Sequence, residues 1–375
     1  MGKIFTALGL MSGTSGDGVD ASLISSDGID LYSEITNKYF KYDQKIYENL
    51  HNLRSKILKI EDLQKNINEI NSLEKEITLF HAKVVIKILD SIEKKVDFIG
   101  FHGQTIYHNS LEKISKQIGD GKLLSQLTKK TVVYNFRQND IKNGGEGAPL
   151  TPIFHRLIVK QKKIELPVCI LNIGGITNVT AIDEYNKNNF LSRDLGPGNC
   201  LIDEWIRKNT KNKFDNNGEI AKKGKTNDLI LNQAIDNFYN RPNQNALSFD
   251  TKDFSLSFVK GLSLEDGAAT LTEFTARIIG EELFSFLSVT KEKLWKILVC
   301  GGGRKNITLI EKIKSRTLKN LAIQSIDDYG INGDYVESQA FAYLAIRSYL
   351  GLPVSFPKTT GCKEPSTGGV IVKNY

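Results

Sequence analysis

The pattern of apolar and polar positions predicts that the chain opens with a strand, a turn and a second strand. Apolar runs at 5–11 and 19–24 flank the glycine-rich polar segment 12–18. Between 44 and 95 the apolar residues recur at spacings of three and four, which is typical of amphipathic helices. We therefore expect helices to follow the opening hairpin.

Two further apolar runs each end in polar residues. The run 96–101 is followed by His102-Gly103-Gln104-Thr105, and the run 131–136 leads into Arg137. Ligands of open α/β sheets bind at the carboxyl ends of the strands, so these polar residues are candidates for binding. The glycine-rich loop 143–149 is a candidate hinge between domains.

The opening pattern occurs a second time. An apolar run at 168–173, a turn at 174–178 and a second apolar run at 179–182 have the same arrangement, and a later strand at 297–300 ends in three glycines. The repetition points to a duplicated domain. Further helices are predicted at 201–207, 266–287 and 336–350.

These elements predict an α/β protein of two domains. The first domain is expected over 1–145, which the segment 351–375 could complete, and the second over 146–350. The length of 375 residues, with 40% hydrophobic and 25% charged residues, fits a globular protein of that size.

Charge and composition exclude several classes of function. The net charge of +7 comes from scattered lysines without a basic block, so no nucleic acid is expected and an anionic ligand is weakly favoured. The first residues lack the apolar core of a signal peptide and no run approaches a membrane span, so we expect a cytoplasmic protein. The cysteines lie far apart and the histidines form no ligand cluster, which predicts reduced thiols and no zinc site.

The glycine-rich turns are candidates for phosphate binding. Without a Cβ, their backbone N–H groups can approach a phosphate closely. Taken singly, each turn more commonly serves as an ordinary hairpin connection. The combination favours the phosphate interpretation, with two opposed hairpins holding a triphosphate between domains, because the turns carry the polar residues Ser12, Thr14, Ser15, Thr177 and Asn178.

Asp17, with Asp20 close by, would lie near such phosphates, where a carboxylate requires a hydrated Mg²⁺ between the negative charges. The alternative is that Asp17 accepts local backbone hydrogen bonds in the turn. Other nucleotide motifs fail: the segment 218–226 ends in Gly-Lys-Thr but has five residues between its glycines, and a P-loop has four. No dinucleotide-binding fingerprint follows a strand, so an oxidoreductase is not expected.

Asp194 is the candidate catalytic base. The Gly196-Pro197-Gly198 turn that follows would hold its carboxylate at a fixed angle, and phosphoryl transfer depends mainly on such positioning. The alternative is an aspartate that caps the helix beginning near Cys200.

Four polar residues are candidates for binding a sugar substrate: Gln104, Thr105, Arg137 and Glu337. Arg137 would receive an anionic group of the substrate, or it would be an ordinary surface arginine. Glu337 would reach a sugar hydroxyl, or it would stabilise a helix N-terminus through the helix dipole.

Eight motifs, taken in order, resemble those of the anhydro-N-acetylmuramic acid kinases, and the match extends to Thr360-Gly361 and Gly369. They are Leu10-Met11-Ser12-Gly13-Thr14-Ser15, Asp17-Gly18-Val19-Asp20, Phe101-His102-Gly103-Gln104-Thr105, Gly147-Ala148-Pro149-Leu150, Leu171-Asn172-Ile173-Gly174-Gly175-Ile176, Gly196-Pro197-Gly198-Asn199, Val299-Cys300-Gly301-Gly302-Gly303, and Gly333-Asp334 with Glu337. Each motif alone is weak, but their order over nearly the full length is highly specific.

The resemblance implies a two-domain actin-like (ribonuclease H-like) ATPase fold with a nucleotide and substrate cleft between the domains. It also implies a reaction in which water opens the 1,6-anhydro ring of an amino sugar and the γ-phosphoryl group of ATP passes to the released O6. Asp194 matches the base that activates this water. ATP, Mg²⁺ held mainly by the phosphates, and a homodimer are further implications.

The resemblance places the phosphates of ATP on the opening hairpin. With the other glycine-rich turns included, the candidate nucleotide-binding residues are Gly13, Thr14, Ser15, Gly16, Asp17, Gly18, Val19, Asp20, Gly174, Gly175, Asn178, Gly301, Gly302 and Gly303. No residue is assigned as a direct metal ligand.

Three positions depart from the pattern of that family. Gly16 stands where a larger apolar residue is usual, which should loosen the phosphate turn, and Leu195 replaces the usual threonine after the base, which removes a hydroxyl beside the carboxylate. The segment 248–254 follows its motif only loosely. Two other classes of function therefore stay open: an actin-like conformational or assembly protein without a sugar acceptor, and a catalytically weakened relic.

Overall fold

Two mixed β-sheets, one in each of two units of the chain, carry the fold. The computed structural model describes residues 2–184, 190–241, 246–288, 294–317 and 321–375. Unit 1 comprises Met1–Ile164 and Tyr335–Tyr375, and unit 2 comprises Glu165–Asp334. The α/β class expected from the sequence is confirmed.

The sheet of unit 1 combines parallel and antiparallel strands. Its strands are β1 (Phe5–Ser12), β2 (Gly18–Ser26), β3 (Tyr32–Lys41), β4 (Phe98–Asn109), β5 (Ile114–Ile118), β6 (Thr131–Tyr134) and β12 (Val370–Val372). The order is β12-β6-β4-β1-β2-β3, with β5 paired to β4. Strands β6, β4 and β1 are parallel, whereas β1, β2 and β3 form an antiparallel meander.

The helices of unit 1 follow the hairpin and flank the later strands. They are α1 (Gln44–Lys56), α2 (Ile60–Lys65), α3 (Ile67–Leu89), α4 (Gly121–Thr128), α5 (Gln138–Lys142), α6 (Pro152–Gln161), α12 (Val336–Tyr349) and α13 (Pro357–Thr360). The first begins where the carboxylate of Asp43 accepts the Ile46 amide at 2.8 Å, an N-cap that satisfies one of the unpaired amides of the first turn.

Unit 2 repeats this arrangement. Its strands are β7 (Val168–Ile173), β8 (Ile176–Ile182), β9 (Phe190–Pro197), β10 (Lys296–Cys300) and β11 (Ala322–Ser325), and its helices are α7 (Cys200–Asn209), α8 (Glu219–Lys223), α9 (Asp228–Tyr239), α10 (Leu264–Ser288) and α11 (Ile307–Arg316).

The two sheets share one topology. In unit 2 the order is β11-β10-β7-β8-β9, with β11, β10 and β7 parallel and β7, β8 and β9 antiparallel. Strands β6-β4-β1-β2-β3 of unit 1 have the same order and directions. This repetition confirms the duplication expected from the two glycine-rich hairpins.

Glycines in β1 and β4 allow α12 to pack closely on the sheet of unit 1. A Cβ on Gly9 would lie 1.9 Å from the carbonyl oxygen of Ser338, and one on Gly100 would lie 2.2 Å from that of Phe341. Residues 335–350 therefore belong to unit 1, as do 146–164, so the limits of the units differ from the predicted domain limits at 145 and 350. The segment 351–375 also lies in unit 1.

Helix α10 is apolar on two sides because it lies between two cores of unit 2. Ala276, Ile279 and Leu283 pack with residues of the sheet, whereas Phe274 and Ile278 pack with residues of α7 and α9. Even so, none of the helices in the described ranges has the length and apolar character that crossing a bilayer needs.

Candidate active site

The β1–β2 turn is the glycine-rich segment that the sequence assigns to phosphate. It is closed by a hydrogen bond from the Gly16 amide to the Gly13 carbonyl at 3.1 Å. Gly16 has φ of +62°, a left-handed conformation in which a side chain is strained. Glycine at position 16 therefore allows the backbone conformation that the turn adopts.

Gln104 supports this turn from β4. The side chain is fully buried, its Oε1 accepts a hydrogen bond from Ser12 Oγ at 2.6 Å, and its Nε2 donates to the Gly13 carbonyl at 3.0 Å. Tyr42 Oη in turn donates to Ser12 Oγ at 3.0 Å. In this structure Gln104 holds the turn, and contact of its side chain with a sugar stays a prediction.

The sequence predicts that the polar residues 102–105 follow the strand. In the structure they lie within β4. β4 continues to Asn109 because β5 supplies an antiparallel partner, with Thr105 opposite Gln117. Thr105 Oγ1 accepts a hydrogen bond from Gln117 Nε2 at 3.1 Å. The candidate Thr105 is thus half-buried in the sheet.

Two acidic residues, Asp17 and Asp20, lie at the end of the turn and at the start of β2. Ser15 Oγ donates to Asp17 Oδ1 at 2.5 Å, and Asp20 lies opposite Tyr39 in the β2–β3 pairing. Burial, followed by the nearby carboxylates of Asp17 and Asp20, raises the pKa of Tyr39, whose hydroxyl is hydrogen-bonded to Asp17. Carboxylate oxygens of this kind suit Mg²⁺, although the described ranges hold no group of three or more metal-ligating side chains.

Arg137 is tied to its surroundings on two sides. Its Nη1 donates to the Gly147 carbonyl at 2.7 Å, and its Nη2 lies 2.9 Å from His102 Nε2. Since His102 Nδ1 lies 2.8 Å from the Gly103 carbonyl, the proton of the neutral ring is on Nδ1 and Nε2 accepts from Arg137. Burial and then the charge of Arg137 lower the pKa of His102 well below its usual range. Because the guanidinium is held by hydrogen bonds on two sides, Arg137 differs from an ordinary surface arginine.

Glu337 lies in the first turn of α12 and is half-buried. A carboxylate at this position interacts favourably with the helix dipole. The position of Glu337 is therefore compatible with a role in stabilising the helix N-terminus, and contact of Glu337 with a sugar stays a prediction.

In unit 2 the β7–β8 turn packs against the start of α7. The Gly198 amide donates to the Gly175 carbonyl at 2.9 Å and the Asn199 amide to the Gly174 carbonyl at 2.8 Å. A Cβ on Gly198 would lie only 2.3 Å from the Gly174 carbonyl oxygen. Glycine at 198 is therefore required for this close approach.

The glycine run 301–303 follows β10 and lies beside the carboxyl end of β7. β10 is parallel to β7, so the carboxyl ends of the two strands are adjacent, and a Cβ on Gly301 would lie 2.7 Å from the Ile173 carbonyl oxygen. A Cβ on Gly303 would lie 2.2 Å from Ile173 Cγ2, whereas Gly302 has open space around its Cα. The structure thus brings together the predicted glycine residues of unit 2.

Asp194 lies in β9, opposite Asn178 of β8. Its amide donates to the Leu247 carbonyl at 2.8 Å, and its Oδ2 accepts the Phe249 amide at 2.8 Å. Only 8% of the residue is exposed. Asn178 Oδ1 is buried without a hydrogen-bond partner among the described residues, which is unusual for a buried polar atom.

Two expectations about Asp194 are corrected. Asn199 is the N-cap of α7, so Asp194 does not cap this helix. Gly196 and Pro197 belong to β9, where they pair with Thr177 and Ile176, and do not form a separate turn. The carboxylate is therefore oriented by a strand and by the neighbouring segment 247–249.

Comparison with known proteins decides the family, because the model of the anhydro-N-acetylmuramic acid kinase family matches residues 5–374. The chain belongs to the anhydro-N-acetylmuramic acid kinase family. A curated kinase of this name from Pelagibacter ubique (strain HTCC1062) is 60% identical over 375 residues, which cover 100% of both chains. Another, from Zymomonas mobilis subsp. mobilis, is 39% identical over 97% of this chain and 99% of the relative.

Leu195, the departure from the anhydro-N-acetylmuramic acid kinase pattern next to Asp194, points into the core. The β8–β9 register shifts between Thr177 and Asn178, which lie opposite Gly196 and Asp194, so Leu195 is the extra residue of a β-bulge. Its side chain is fully buried and packs in the core that includes Val179. In this chain the side chain at position 195 therefore belongs to the core of unit 2.

The other two departures also have a structural account. Gly16 is suited to its left-handed conformation, and the turn around it is well anchored, which argues against the expected loosening. The segment 248–254, which follows the kinase motif loosely, begins beside Asp194 and supplies the Phe249 amide. A backbone donor tolerates sequence change because it does not depend on the side chain, and for the same reason no pattern of residues predicts it.

Proposed function

We propose that this chain is an ATP-dependent kinase that opens 1,6-anhydro-N-acetylmuramic acid with water and phosphorylates O6. The products are N-acetylmuramic acid 6-phosphate and ADP, in the recycling of peptidoglycan. Membership of the family and 60% identity to a relative of that name support the substrate. The observation that carries the mechanism is the buried Asp194 carboxylate, oriented by the Phe249 amide and placed opposite Asn178.

In the proposed reaction Asp194 takes a proton from water as the water oxygen attacks the anomeric carbon. The bond between that carbon and O6 breaks, and the released O6 attacks the γ-phosphorus of ATP. The bond to the bridging oxygen then breaks and ADP leaves. The orientation of Asp194 fixes the direction from which the water is deprotonated, which is the type of positioning on which such reactions depend.

The nucleotide phosphates are proposed to contact the β1–β2 turn and the glycine segments at 174–175 and 301–303. When bound, Mg²⁺ supplies positive charge that balances the phosphates, and Asp17 and Asp20 have the oxygen donors to hold it through water. Arg137 and Glu337 are proposed to bind the sugar, with Arg137 facing its carboxylate. We also propose a cytoplasmic location, where ATP is present, and a homodimer.

ATP consumption with and without 1,6-anhydro-N-acetylmuramic acid tests the proposal. Release of ADP should require the sugar, and mass spectrometry should detect a sugar that has gained one phosphoryl group and one water. ATP hydrolysis that does not depend on the sugar would instead favour a conformational or assembly ATPase. Nucleotide binding without any turnover would favour a catalytically weakened relic.

A further inference from the structure

Side chains of α1 hold two successive carbonyl groups of the β1–β2 turn. Arg54 Nη1 donates to the Thr14 carbonyl, and His51 Nε2 lies 3.1 Å from the Ser15 carbonyl oxygen. His51 and Arg54 are three residues apart, so they share one face of the helix. The helix itself is anchored by the buried Leu50, which also packs beneath the turn.

Two other carbonyls of the turn are held from elsewhere in unit 1. Gly13 O accepts from Gln104 Nε2 at 3.0 Å, and Asp17 O accepts from the Tyr42 amide at 2.9 Å. The carbonyl groups of the turn therefore face the body of unit 1. A short glycine-rich turn would otherwise have many accessible conformations, and fixing them costs conformational entropy.

The orientation of these carbonyls determines the orientation of the amides. In a planar trans peptide the C=O of one residue and the N–H of the next point in opposite directions. With the Thr14 carbonyl directed to Arg54, the Ser15 N–H points away from α1. By the same geometry the Thr14 N–H points away from Gln104. The Gly16 N–H is used within the turn, where it donates to the Gly13 carbonyl, so the Thr14 and Ser15 N–H groups are the candidates for binding a phosphate.

We propose that Arg54 is a positioning residue for nucleotide binding, which acts by directing the Ser15 amide toward a phosphate of ATP. This inference rests on the proposed function, which assigns the turn to the phosphates. Arg54 is distinct from a residue that merely stabilises the helix, because its hydrogen bond fixes one peptide plane of the binding turn. Its removal should reduce phosphate recognition and leave recognition of the nucleoside unchanged.

The test compares Arg54→Ala, Arg54→Lys and wild type by calorimetry with Mg²⁺ and ATP, ADP or adenosine, and by kinetics with the anhydrosugar. For Arg54→Ala we expect ATP and ADP to bind about tenfold more weakly, the size of effect expected from one hydrogen bond to a charged group. Adenosine affinity and the KM for the sugar should not change. Arg54→Lys, which keeps a cationic donor, should recover part of the loss.

A matched control is Lys45→Ala on the same helix, because Lys45 is exposed and pairs with Glu76 and not with the turn. The control should bind ATP as wild type does. Equal ATP affinity in Arg54→Ala and wild type would overturn the inference. The inference would also fail if Arg54→Ala bound ATP and adenosine more weakly by the same factor and had a lower melting temperature than wild type, because the loss would then be structural. Since calorimetry needs no sugar, wild type that binds ATP without turning over the anhydrosugar would refute the proposed function alone.

Discussion

The backbone amide of Phe249 donates a hydrogen bond to Asp194 Oδ2 over 2.8 Å. This bond fixes the rotation of the carboxyl group, and the pairing of the Asp194 amide with the Leu247 carbonyl fixes the backbone beside it. Two backbone groups thus contribute to the geometry of the candidate base, and neither depends on the identity of a neighbouring side chain.

Asp194→Asn should abolish turnover without loss of the fold. The amide oxygen of asparagine can accept the same hydrogen bond from Phe249, but it cannot take a proton from water. We expect kcat to fall by about a hundredfold to ten-thousandfold, the range for loss of a general base, with ATP affinity by calorimetry unchanged. Asp236→Asn on the exposed face of α9 is the matched control. Turnover by Asp194→Asn near the wild-type rate would refute the mechanism.

Leu195→Thr should lower stability more than activity. The side chain is fully buried in the core of unit 2, so the change removes apolar volume and buries a hydroxyl. We expect the free energy of unfolding in urea to fall by about 2–3 kcal/mol, with kcat within about twofold of wild type because the change lies outside the polar site. Leu195→Met, which conserves volume, should cost less. A marked rise in kcat in Leu195→Thr would show that a hydroxyl here takes part in the reaction.

Gly16→Ala should destabilise the β1–β2 turn. Gly16 has φ of +62°, and a new Cβ would lie 2.7 Å from Leu50 Cδ2. We expect a loss of about 1–2 kcal/mol in the free energy of unfolding, the cost of a left-handed conformation for a residue with a Cβ. Gly13→Ala, where a Cβ would meet nothing within 4 Å, should retain stability. Equal stability of both variants would mean that the turn does not need glycine at 16.

The sequence predicted the elements whose signal is local. The run 168–173 is apolar throughout and forms β7 with every residue buried, and the glycine turns after β1, β7 and β10 were all identified. β3 was not predicted, since it is an edge strand with mainly exposed or half-buried residues and so lacks a strong apolar pattern.

The supporting residues of the site could not be predicted because they depend on contacts between distant segments. Gln104 appears in the sequence as a polar residue after a strand, but its side chain is buried against a turn 91 positions away. Arg54 is one of many basic residues on amphipathic helices, and the direction of Leu195 depends on a bulge that no local pattern indicates. Sequence patterns therefore located the candidate residues, while their roles required the three-dimensional contacts.

The stability of unit 1 should fall as the pH decreases below about 6.5, because three of its histidines are buried in the neutral form. Burial lowers the pKa of His81 to about 4 and that of His155 to about 3, and burial with the charge of Arg137 lowers that of His102 well below its usual range. Between these values and the unfolded pKa of 6.5, the unfolded chain binds protons that the folded chain does not. Stability is therefore retained above pH 6.5 and lost progressively below it.

Urea unfolding between pH 7.5 and 4.5 measures this dependence, and each histidine should contribute up to about 1.4 kcal/mol per pH unit. Asp327 in unit 2 does not affect the measurement in this pH range. Burial alone would raise the pKa of Asp327, but the hydrogen bond from Arg304 lowers it to about 2. The stability that this carboxylate contributes is therefore lost only at more acidic pH. His81→Leu should reduce the slope by about one proton. If the slope did not change in this variant, His81 would not be the neutral buried group that its environment in α3 predicts.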